Sequence, residues 1–278
     1  MSSTLASVAL SFFVSAASAQ WVKDPRSSLP RTSDGKPDLA APAPKTADGK
    51  IDLSGTWLAD PDPKGSRQNV ENMSFSQYFI NVTADLKPDE VPFQPWAKTL
   101  FMQRLQSQGK ESPTARCKPT GVPAINSVPL PFKIVQTPKL MLLLYEENTT
   151  FRQVFLDGRQ PVKDAEPRWL GYSAGRWEGD TLVVDTVGFN DQFWLDGMGH
   201  PHSDHLHVTE QFRRRDTGHL EIQVTINDPK AYTQAIMYTQ KLTLLPDDAF
   251  PPSPFRLFVF AIPCPSYGAL RQAIEPTL

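Results

Sequence analysis

The sequence lacks an excess of charge of either sign. Its 278 residues carry 28 Lys and Arg against 30 Asp and Glu, which gives a formal net charge of −2. A chain with this balance has no basic field with which to hold a phosphate backbone. The composition therefore argues against a nucleic-acid partner.

Long apolar runs are also missing beyond the start of the chain. The run over residues 5–16 is too short to span a bilayer, and an Ala-Ser-Ala tripeptide at 17–19 follows it as a cleavage pattern. We therefore expect a signal peptide over 1–19. The mature protein is predicted to be secreted or periplasmic, without a membrane span.

Cysteine is scarce, and several common catalytic motifs are missing. The two cysteines, Cys117 and Cys264, are predicted to form a disulfide, because an exported protein with free thiols would be open to oxidation. There is no Gly-x-Ser-x-Gly elbow, phosphate loop, His-Glu-x-x-His or Cys-x-x-Cys, so the common hydrolase, nucleotide-binding and zinc-protease interpretations lack support. Three glycosylation sequons are present, at Asn72, Asn81 and Asn148.

The chain begins, after the expected signal peptide, with a proline-rich segment. Residues 20–50 have few large apolar groups and are predicted to form an extended arm. Within it the octapeptide at 32–39 recurs at 46–53, with an Asp-Gly turn signal in each copy. Residues 51–278 are then expected to form a single β-barrel domain.

Strand patterns dominate that domain. Apolar spacing predicts one short helix over about 95–108, and a possible strand is assigned to 78–82. The remaining strands are predicted at 53–57, 133–136, 139–146, 150–156, 169–173, 175–177, 181–187, 206–213, 220–226 and 235–244. Short strands joined by tight turns favour an all-β fold, an antiparallel meander that closes into a lipocalin-like barrel or packs as a sandwich.

Histidine is concentrated in one stretch, at residues 188–215. Four of the five histidines, His200, His202, His205 and His207, lie there among carboxylates and arginines. Such a mixture suits metal binding, proton transfer or anion binding. As two His-x-His pairs, the four are predicted ligands of a divalent transition metal, zinc, iron or copper.

Alternation along 206–213 divides this segment into two faces. Glu210 lies on the apolar face, where burial would suit a proton-transfer role, and Arg214 is expected to follow it inward. His205 and His207 share the opposite face. Two alternatives to a metal site stay open: metal-free acid-base or anion-binding chemistry, and polar groups that only solvate a loop or pair with arginines.

Several motifs resemble those of an uncharacterised group of secreted, mostly bacterial, β-rich proteins. They are WEGDTLVVDTVGFN at 177–190, Trp194-x-Asp196, PHS at 201–203 and LHVTE at 206–210, preceded by DGKPDL at 34–39. The resemblance implies no activity, but it favours His202 and His207 among the histidines. The Gly-x-Trp at 55–57 more weakly resembles the opening strand of lipocalins, whose tryptophan plugs one end of the barrel.

The leading hypothesis is an exported enzyme that hydrolyses, eliminates or isomerises a small hydrophobic or aromatic molecule. The candidate catalytic residues are His202, His207, Asp196 and Glu210. The candidate substrate-binding residues are Trp194, Asp191, Arg214 and Trp57. A lipocalin-like carrier without catalysis is the rival hypothesis, and an interaction module without a cavity is a third.

Overall fold

The protein, seen in a computed structural model, is described over residues 29–61, 80–107, 109–160 and 166–246. Nine strands lie in these ranges: β1 (Gly55–Ala59), β2 (Phe132–Gln136), β3 (Leu140–Tyr145), β4 (Phe151–Phe155), β5 (Tyr172–Glu178), β6 (Thr181–Val187), β7 (His207–Arg214), β8 (His219–Asn227) and β9 (Ile236–Leu244). Each strand pairs with the next, and β9 pairs with β1, so the sheet closes on itself. The predicted all-β barrel is confirmed, and the sandwich alternative is excluded.

The meander is antiparallel except at one seam. Strands β4 and β5 run parallel and pair only through Val154 with Ser173 and Phe155 with Ala174. Two parallel strands cannot be joined by a tight hairpin turn, so the expectation of a uniform antiparallel meander is wrong at this seam. This short seam has the weakest strand pairing in the barrel, and an open cleft lies beside it.

The long strands alternate as a half-buried sheet should. In β8 the residues Leu220, Ile222, Val224 and Ile226 are buried while their neighbours are more exposed. In β7 the buried face carries two charged groups, Glu210 and Arg214. The core therefore fills the barrel, and the predicted inward direction of both charged side chains is confirmed.

The helix α1 (Pro95–Gln106) agrees with the predicted one. Proline at its first position suits helix initiation, because that position has no intrahelical acceptor for an N–H. In the strand predicted at 78–82, residues 80 and 81 have no regular structure and Val82 begins a turn, while 78–79 lie outside the described ranges. No helix in those ranges combines the length and apolar character that crossing a bilayer requires.

Two predictions fall on parts of the chain that the structure does not describe. The expected signal peptide at 1–19 lies wholly outside the described ranges, and so does Cys264, the expected disulfide partner of Cys117. Both therefore stay predictions from the sequence.

The duplicated octapeptide folds into the same turn twice. In the first copy the Thr32 N–H donates to the Lys36 carbonyl at 2.9 Å, and in the second the Thr46 N–H donates to the Lys50 carbonyl at 2.8 Å. Beyond the first turn, the carbonyls of residues 39 and 41 accept hydrogen bonds from the N–H groups of residues 218 and 217. The described part of the predicted arm is therefore docked on the barrel.

Trp57 and Arg214 close one end of the barrel, which we call the Arg214 end. The Trp57 ring is fully buried, its Nε1 donates to the Leu53 carbonyl at 3.0 Å, and the Arg214 guanidinium lies 4.9 Å from the ring centroid. Gly55 has a φ of +146°, and an added Cβ would lie 2.5 Å from a Leu244 side-chain carbon. The expected plugging role of this tryptophan agrees with the structure.

The middle of the barrel is filled by a 3₁₀ helix, Ala124–Ser127, which we call the lumen plug. All of its residues are buried. Asn126 donates to Glu210 on β7 at 2.7 Å, and Ser127 donates to Gln240 on β9 at 2.9 Å. The interior of this barrel is therefore occupied by the chain itself.

Candidate functional site

Glu210 takes part in a buried ion pair that reaches across the barrel from β7 to β4. Its Oε2 accepts a hydrogen bond from Arg152 Nη2 at 2.5 Å, and both side chains are almost completely buried. Arg152 also donates to Ser173 at 3.0 Å and to Thr186 at 2.7 Å. Burial alone would lower the pKa of Arg152, but the charge of Glu210 raises it above its usual value. Arg152 therefore stays charged inside the barrel.

Two hydroxyls lie beside this pair and behave differently. Tyr145 donates to Asn126 Oδ1 at 2.8 Å, whereas Tyr238 has no hydrogen-bond partner for its buried hydroxyl among the described residues. Burial raises the pKa of both phenols, and the charge of Glu210 adds to this effect. In the same described ranges, Arg152 Nη1 also lacks an acceptor. Within the described part of the chain, the polar groups at this level of the barrel are thus incompletely paired.

An open cleft of about 1090 Å³ lies on the side of the barrel at the β4–β5 seam. Its described lining is rich in aromatic rings, which are Phe151, Phe155, Trp169, Tyr172 and Phe189. Arg152 and Ser173 belong to the same lining, so the cleft reaches the buried network from outside. Size and composition are those expected of a site for a small organic molecule.

Two adjoining segments line this cleft, 166–171 as the first wall and 189–192 as the second wall. They lie side by side, and backbone hydrogen bonds hold them together. Arg168 N–H donates to the Gly188 carbonyl, and Asn190 N–H donates to the Arg168 carbonyl, both at 2.9 Å. Gly171 is required where the first wall enters β5, because its φ is +60° and a Cβ would lie 2.7 Å from the Val187 carbonyl oxygen. Arg168 lies 4.8 Å from the ring centroid of Tyr172. The walls therefore present guanidinium and aromatic groups together.

Asp191, which was predicted to bind substrate, is exposed on the second wall of the cleft. The other three predicted substrate-binding residues, Trp194, Arg214 and Trp57, line neither described cavity. Trp194 is buried and packs under the Arg104 guanidinium at 4.9 Å from the ring centroid. The rings and the guanidinium group of these three residues are enclosed by protein, and their role in substrate binding stays a prediction from the sequence.

The histidines do not converge on one point. His205 is exposed and bonds Asp204 at 2.9 Å, while His207, on the outside of β7, bonds Asp185 at 2.9 Å. Within the described ranges, no group of three or more His, Cys, Asp and Glu side chains is arranged to hold a metal ion. The four-histidine arrangement expected for zinc, iron or copper is therefore not formed by these residues. A bound metal remains a prediction from the sequence alone.

Asp185, on β6, holds the His207 side chain at the surface of the barrel. Its carboxylate accepts from His207, from Thr209 at 2.8 Å and from Arg176 at 2.5 Å. Burial would raise the pKa of Asp185, but these donors lower it below its usual value. His207 is thus part of a surface network on β6 and β7, away from the interior that holds Glu210.

His202 is buried and packs against Phe193, with ring centroids 4.1 Å apart. Its Nδ1 lies 3.0 Å from the Ser203 carbonyl, which makes Nδ1 the protonated nitrogen of the neutral ring. Its Nε2 is left without a partner among the described residues, and burial lowers the pKa of the ring. His202 is therefore a neutral imidazole with an Nε2 lone pair that no described residue uses, although neither cavity includes it.

Asp196 and His200 form the closest carboxylate–imidazole contact of the stretch, with 2.6 Å between Oδ2 and Nδ1. Both residues are buried. His200 lines a second, smaller cavity of about 160 Å³ between α1 and the loops at 80–91 and 198–200. Asp196 was a predicted catalytic residue and His200 a predicted metal ligand, and the structure pairs them with each other.

The sequence analysis did not identify Arg152 and Asn126, which bond Glu210. It also did not identify Thr83, whose hydroxyl lies 3.2 Å from His200 Nε2 in the lining of the smaller cavity. Arg152 resembles an ordinary charged residue within a strand, and Asn126 lies in a proline-rich segment without periodicity. Their partner Glu210 lies 58 residues from Arg152 and 84 from Asn126. A weak signal for Arg152 exists, because Glu210 on an apolar face requires a cationic or hydrogen-bonding partner somewhere in the chain.

Known proteins offer no guide to this site. No protein-family model matches the chain, and no curated protein or solved structure does so either.

Proposed function

We propose that this protein binds a small aromatic molecule in the lateral cleft, outside the cytoplasm. The main evidence is the cleft itself, which has a volume of about 1090 Å³ and is lined by aromatic side chains at the β4–β5 seam. A volume of this order accommodates a drug-sized molecule. The carrier and enzyme hypotheses drawn from the sequence both require such a cavity, and binding is the part of them that the cleft supports directly.

The chemistry of the lining favours a planar ligand with a hydrogen-bond acceptor. Aromatic rings gain most from a flat apolar partner, because offset-stacked and edge contacts add to simple burial. Arg159 lies 3.9 Å from the ring centroid of Phe155, and Arg168 lies beside Tyr172, so N–H donors accompany the rings. An aromatic ring that bears a carboxylate, sulfonate or phenolic oxygen meets both features.

Exposure at the cleft supports the same proposal. Phe151, at one edge of the cleft, is 59 % exposed, which is a large fraction for a phenylalanine within a strand. Single exposed apolar residues are ordinary on protein surfaces. Here, however, Phe151 adjoins a concave aromatic lining, so a ligand in the cleft would cover it.

The interior of the barrel is a poorer candidate for a carrier site. In lipocalin-like carriers the ligand lies within the barrel, whereas the lumen plug and the Arg152–Glu210 pair occupy this space. The filled interior was the condition for a third possibility, an interaction module without a cavity. The lateral cleft supplies a cavity outside the barrel, which favours small-molecule binding over that possibility.

A fluorescent aromatic sulfonate, anilinonaphthalene sulfonate, tests this proposal by titration into the folded protein. We expect saturable binding at one site, with quenching of Trp169, and about tenfold weaker binding in Phe151→Ala. Met237→Ala is the matched control, because Met237 is 55 % exposed on β9 and does not line the cleft. Equal affinities for the wild type and both variants, or unsaturable binding, would refute the cleft as the site.

Hydrolysis is a second candidate function, and one specific observation favours it. The buried pair of Asp196 and His200 contacts a separate cavity, so an imidazole and a carboxylate lie within reach of each other and of a space for substrate. This observation concerns a different part of the molecule from the aromatic cleft.

A further inference from the structure

Three side chains beside the smaller cavity form a continuous hydrogen-bonded relay. Asp196 Oδ2 lies 2.6 Å from His200 Nδ1, and His200 Nε2 lies 3.2 Å from Thr83 Oγ1. A hydroxyl, an imidazole and a carboxylate in this order have the roles of nucleophile, general base and orienting group in acyl transfer. The three residues come from two loops far apart in the chain, so the arrangement is not a local turn motif.

The surroundings hold the imidazole in the tautomer that this chemistry requires. Asp196 Oδ1 accepts backbone N–H bonds from Met198, Gly199 and His200, and Oδ2 accepts one from Val82 at 3.0 Å. With its position fixed in this way, the carboxylate keeps the His200 proton on Nδ1 and leaves the Nε2 lone pair toward Thr83. No rearrangement of the carboxylate is needed for His200 to accept a proton.

Stacking fixes the plane of the His200 ring as well. Its centroid lies 4.3 Å from that of Phe101 on α1 and 5.6 Å from that of Phe93, and both contacts are stacked. Such packing restricts the ring to one orientation, which is a requirement for a positioned base.

Thr83 and His200 both line the cavity of about 160 Å³. At a water molecule's share of liquid volume, about 30 Å³, this space holds about five non-hydrogen atoms. The lining is otherwise largely apolar, with Phe101, Met102 and Leu105 from α1, and it also includes Lys98. A short acyl chain fits this volume, and the ammonium group of Lys98 offers positive charge for a developing oxyanion.

We infer that Thr83, His200 and Asp196 form a hydrolytic centre for small esters, an activity beyond ligand binding in the lateral cleft. Thr83 Oγ1 attacks the ester carbonyl carbon while its proton passes to His200 Nε2. The carbon–oxygen bond to the leaving group then breaks, and the leaving alcohol takes that proton from His200. Water, deprotonated by His200, attacks the acyl-threonine, releases the carboxylic acid and restores the Thr83 hydroxyl.

One contact competes with this role. Thr83 Oγ1 also lies 2.9 Å from Asn81 Oδ1, so its single proton has two acceptors. A purely structural role, in which Thr83 ties the loop at 81–83 to His200, would use the same atoms. The two roles differ in what a valine or a serine at this position does, because only the catalytic role needs an attacking oxygen.

The experiment measures hydrolysis of p-nitrophenyl acetate by the full chain, with circular dichroism used to normalise for folded protein. We expect turnover above the buffer rate, a loss of roughly 100-fold or more in kcat/KM for Thr83→Val and for His200→Gln, and retention of activity in Thr83→Ser. We also expect an acetyl group on the Thr83 peptide after rapid quenching, detected by mass spectrometry. Met102→Trp, which reduces the cavity without changing the relay, should raise KM.

The control is His219→Gln, which removes a surface histidine bonded to Asp216 and should leave the rate unchanged. An inactive wild-type protein, or a Thr83→Val variant as active as wild type, would overturn the proposal. A reduced melting temperature in Thr83→Val without any ester turnover in the wild type would assign Thr83 a structural role instead. Binding of the aromatic sulfonate is scored separately, so loss of either function leaves the other result interpretable.

Discussion

Two buried arginines, Arg214 and Arg152, point into the barrel, and their guanidinium groups have different partners. At the Arg214 end, Arg214 donates to the carbonyls of Asp52, Ser54, Asp216 and Thr217 and covers the Trp57 ring. At the level of Glu210, Arg152 pairs with a carboxylate and leaves Nη1 without an acceptor among the described residues. The first arginine satisfies backbone groups, whereas the second forms part of a cleft floor.

This difference indicates where the fold tolerates buried polar atoms that lack a hydrogen-bond partner among the described residues. Buried polar groups without partners are costly, and most native structures contain few of them. In the described ranges such atoms occur on Glu146, Arg152, His202 and Tyr238, and none belongs to the Arg214 end. We interpret that end as structural. Two of these four atoms, on Arg152 and Tyr238, lie at the level of Glu210, beside the proposed ligand site.

The largest expected effect comes from Arg152→Met. Removing the guanidinium leaves Glu210 buried without a counter-charge, which costs about 3–5 kcal/mol of unfolding free energy. Urea unfolding measures the loss. The double variant Arg152→Met/Glu210→Gln removes the orphaned charge and should recover more than half of it. A single variant as stable as the double one would show that the pair is not a charged unit.

A smaller loss is expected from Arg214→Met. Several buried carbonyls lose a donor, but no charge is left behind, so the cost should be about 1–3 kcal/mol. Burial lowers the pKa of Arg214 to about 10, which reflects the same enclosed environment. Arg213→Met is the matched control, because Arg213 is exposed on the same strand and its loss should stay within about 0.5 kcal/mol. Similar losses in the two variants would contradict the assignment of the strand faces.

Two tyrosines near Glu210 give effects of opposite sign. Tyr145→Phe removes a donor to Asn126 and should destabilise the protein by about 1 kcal/mol. Tyr238→Phe removes a buried hydroxyl that lacks a described partner, so it should be neutral or stabilising by up to about 1 kcal/mol. Chemical denaturation of both variants measures the difference. Equal destabilisation would show that the Tyr238 hydroxyl has a partner after all.

The smallest expected effect is a pH dependence from His202. Burial lowers the pKa of this ring in the folded protein, so the unfolded chain takes up its proton first as the pH falls. Its contribution is complete above the unfolded pKa of about 6.5 and is lost as the pH falls from there toward the folded pKa. Melting temperatures across this range should fall less in His202→Gln than in wild type. His219→Gln is the surface control, and an unchanged slope in both variants would refute the interpretation.

Local patterns predicted the barrel well because its long strands carry their own signal. The strand at 181–187 agrees with β6 at both ends, and alternation along β7 indicated the burial of Glu210 and Arg214. The Gly-x-Trp pair indicated how one end of the barrel is closed. In each case the information lies within a few neighbouring residues, and the physical cause is the two-residue period of a half-buried strand.

The site could not be predicted in the same way, because its contacts are not local. In β4 the alternation places Phe151 and Phe155 on one face and Arg152 on the other, which would suggest the reverse of the observed burial. The position of Arg152 is decided by Glu210, on a strand that the sequence does not mark as its partner. Likewise, the four histidines are close in sequence but lie on different faces and loops. Their imidazole rings therefore do not meet at one metal site.

Closure of the barrel also has a consequence for how the chain folds. β1 and β9 lie near opposite ends of the described chain, yet Trp57 pairs with Leu244 in the closing ladder. A contact of such long sequence separation forms only after a large loss of chain entropy, which slows folding in proteins dominated by non-local pairing. The hairpins from β5 to β9 can pair as soon as each is synthesised, and β1 can pair with β2, but the ladder between β1 and β9 must wait for the last strand. Until then the edge of β1 that faces β9 exposes unpaired backbone N–H and C=O groups, and an edge of this kind favours aggregation.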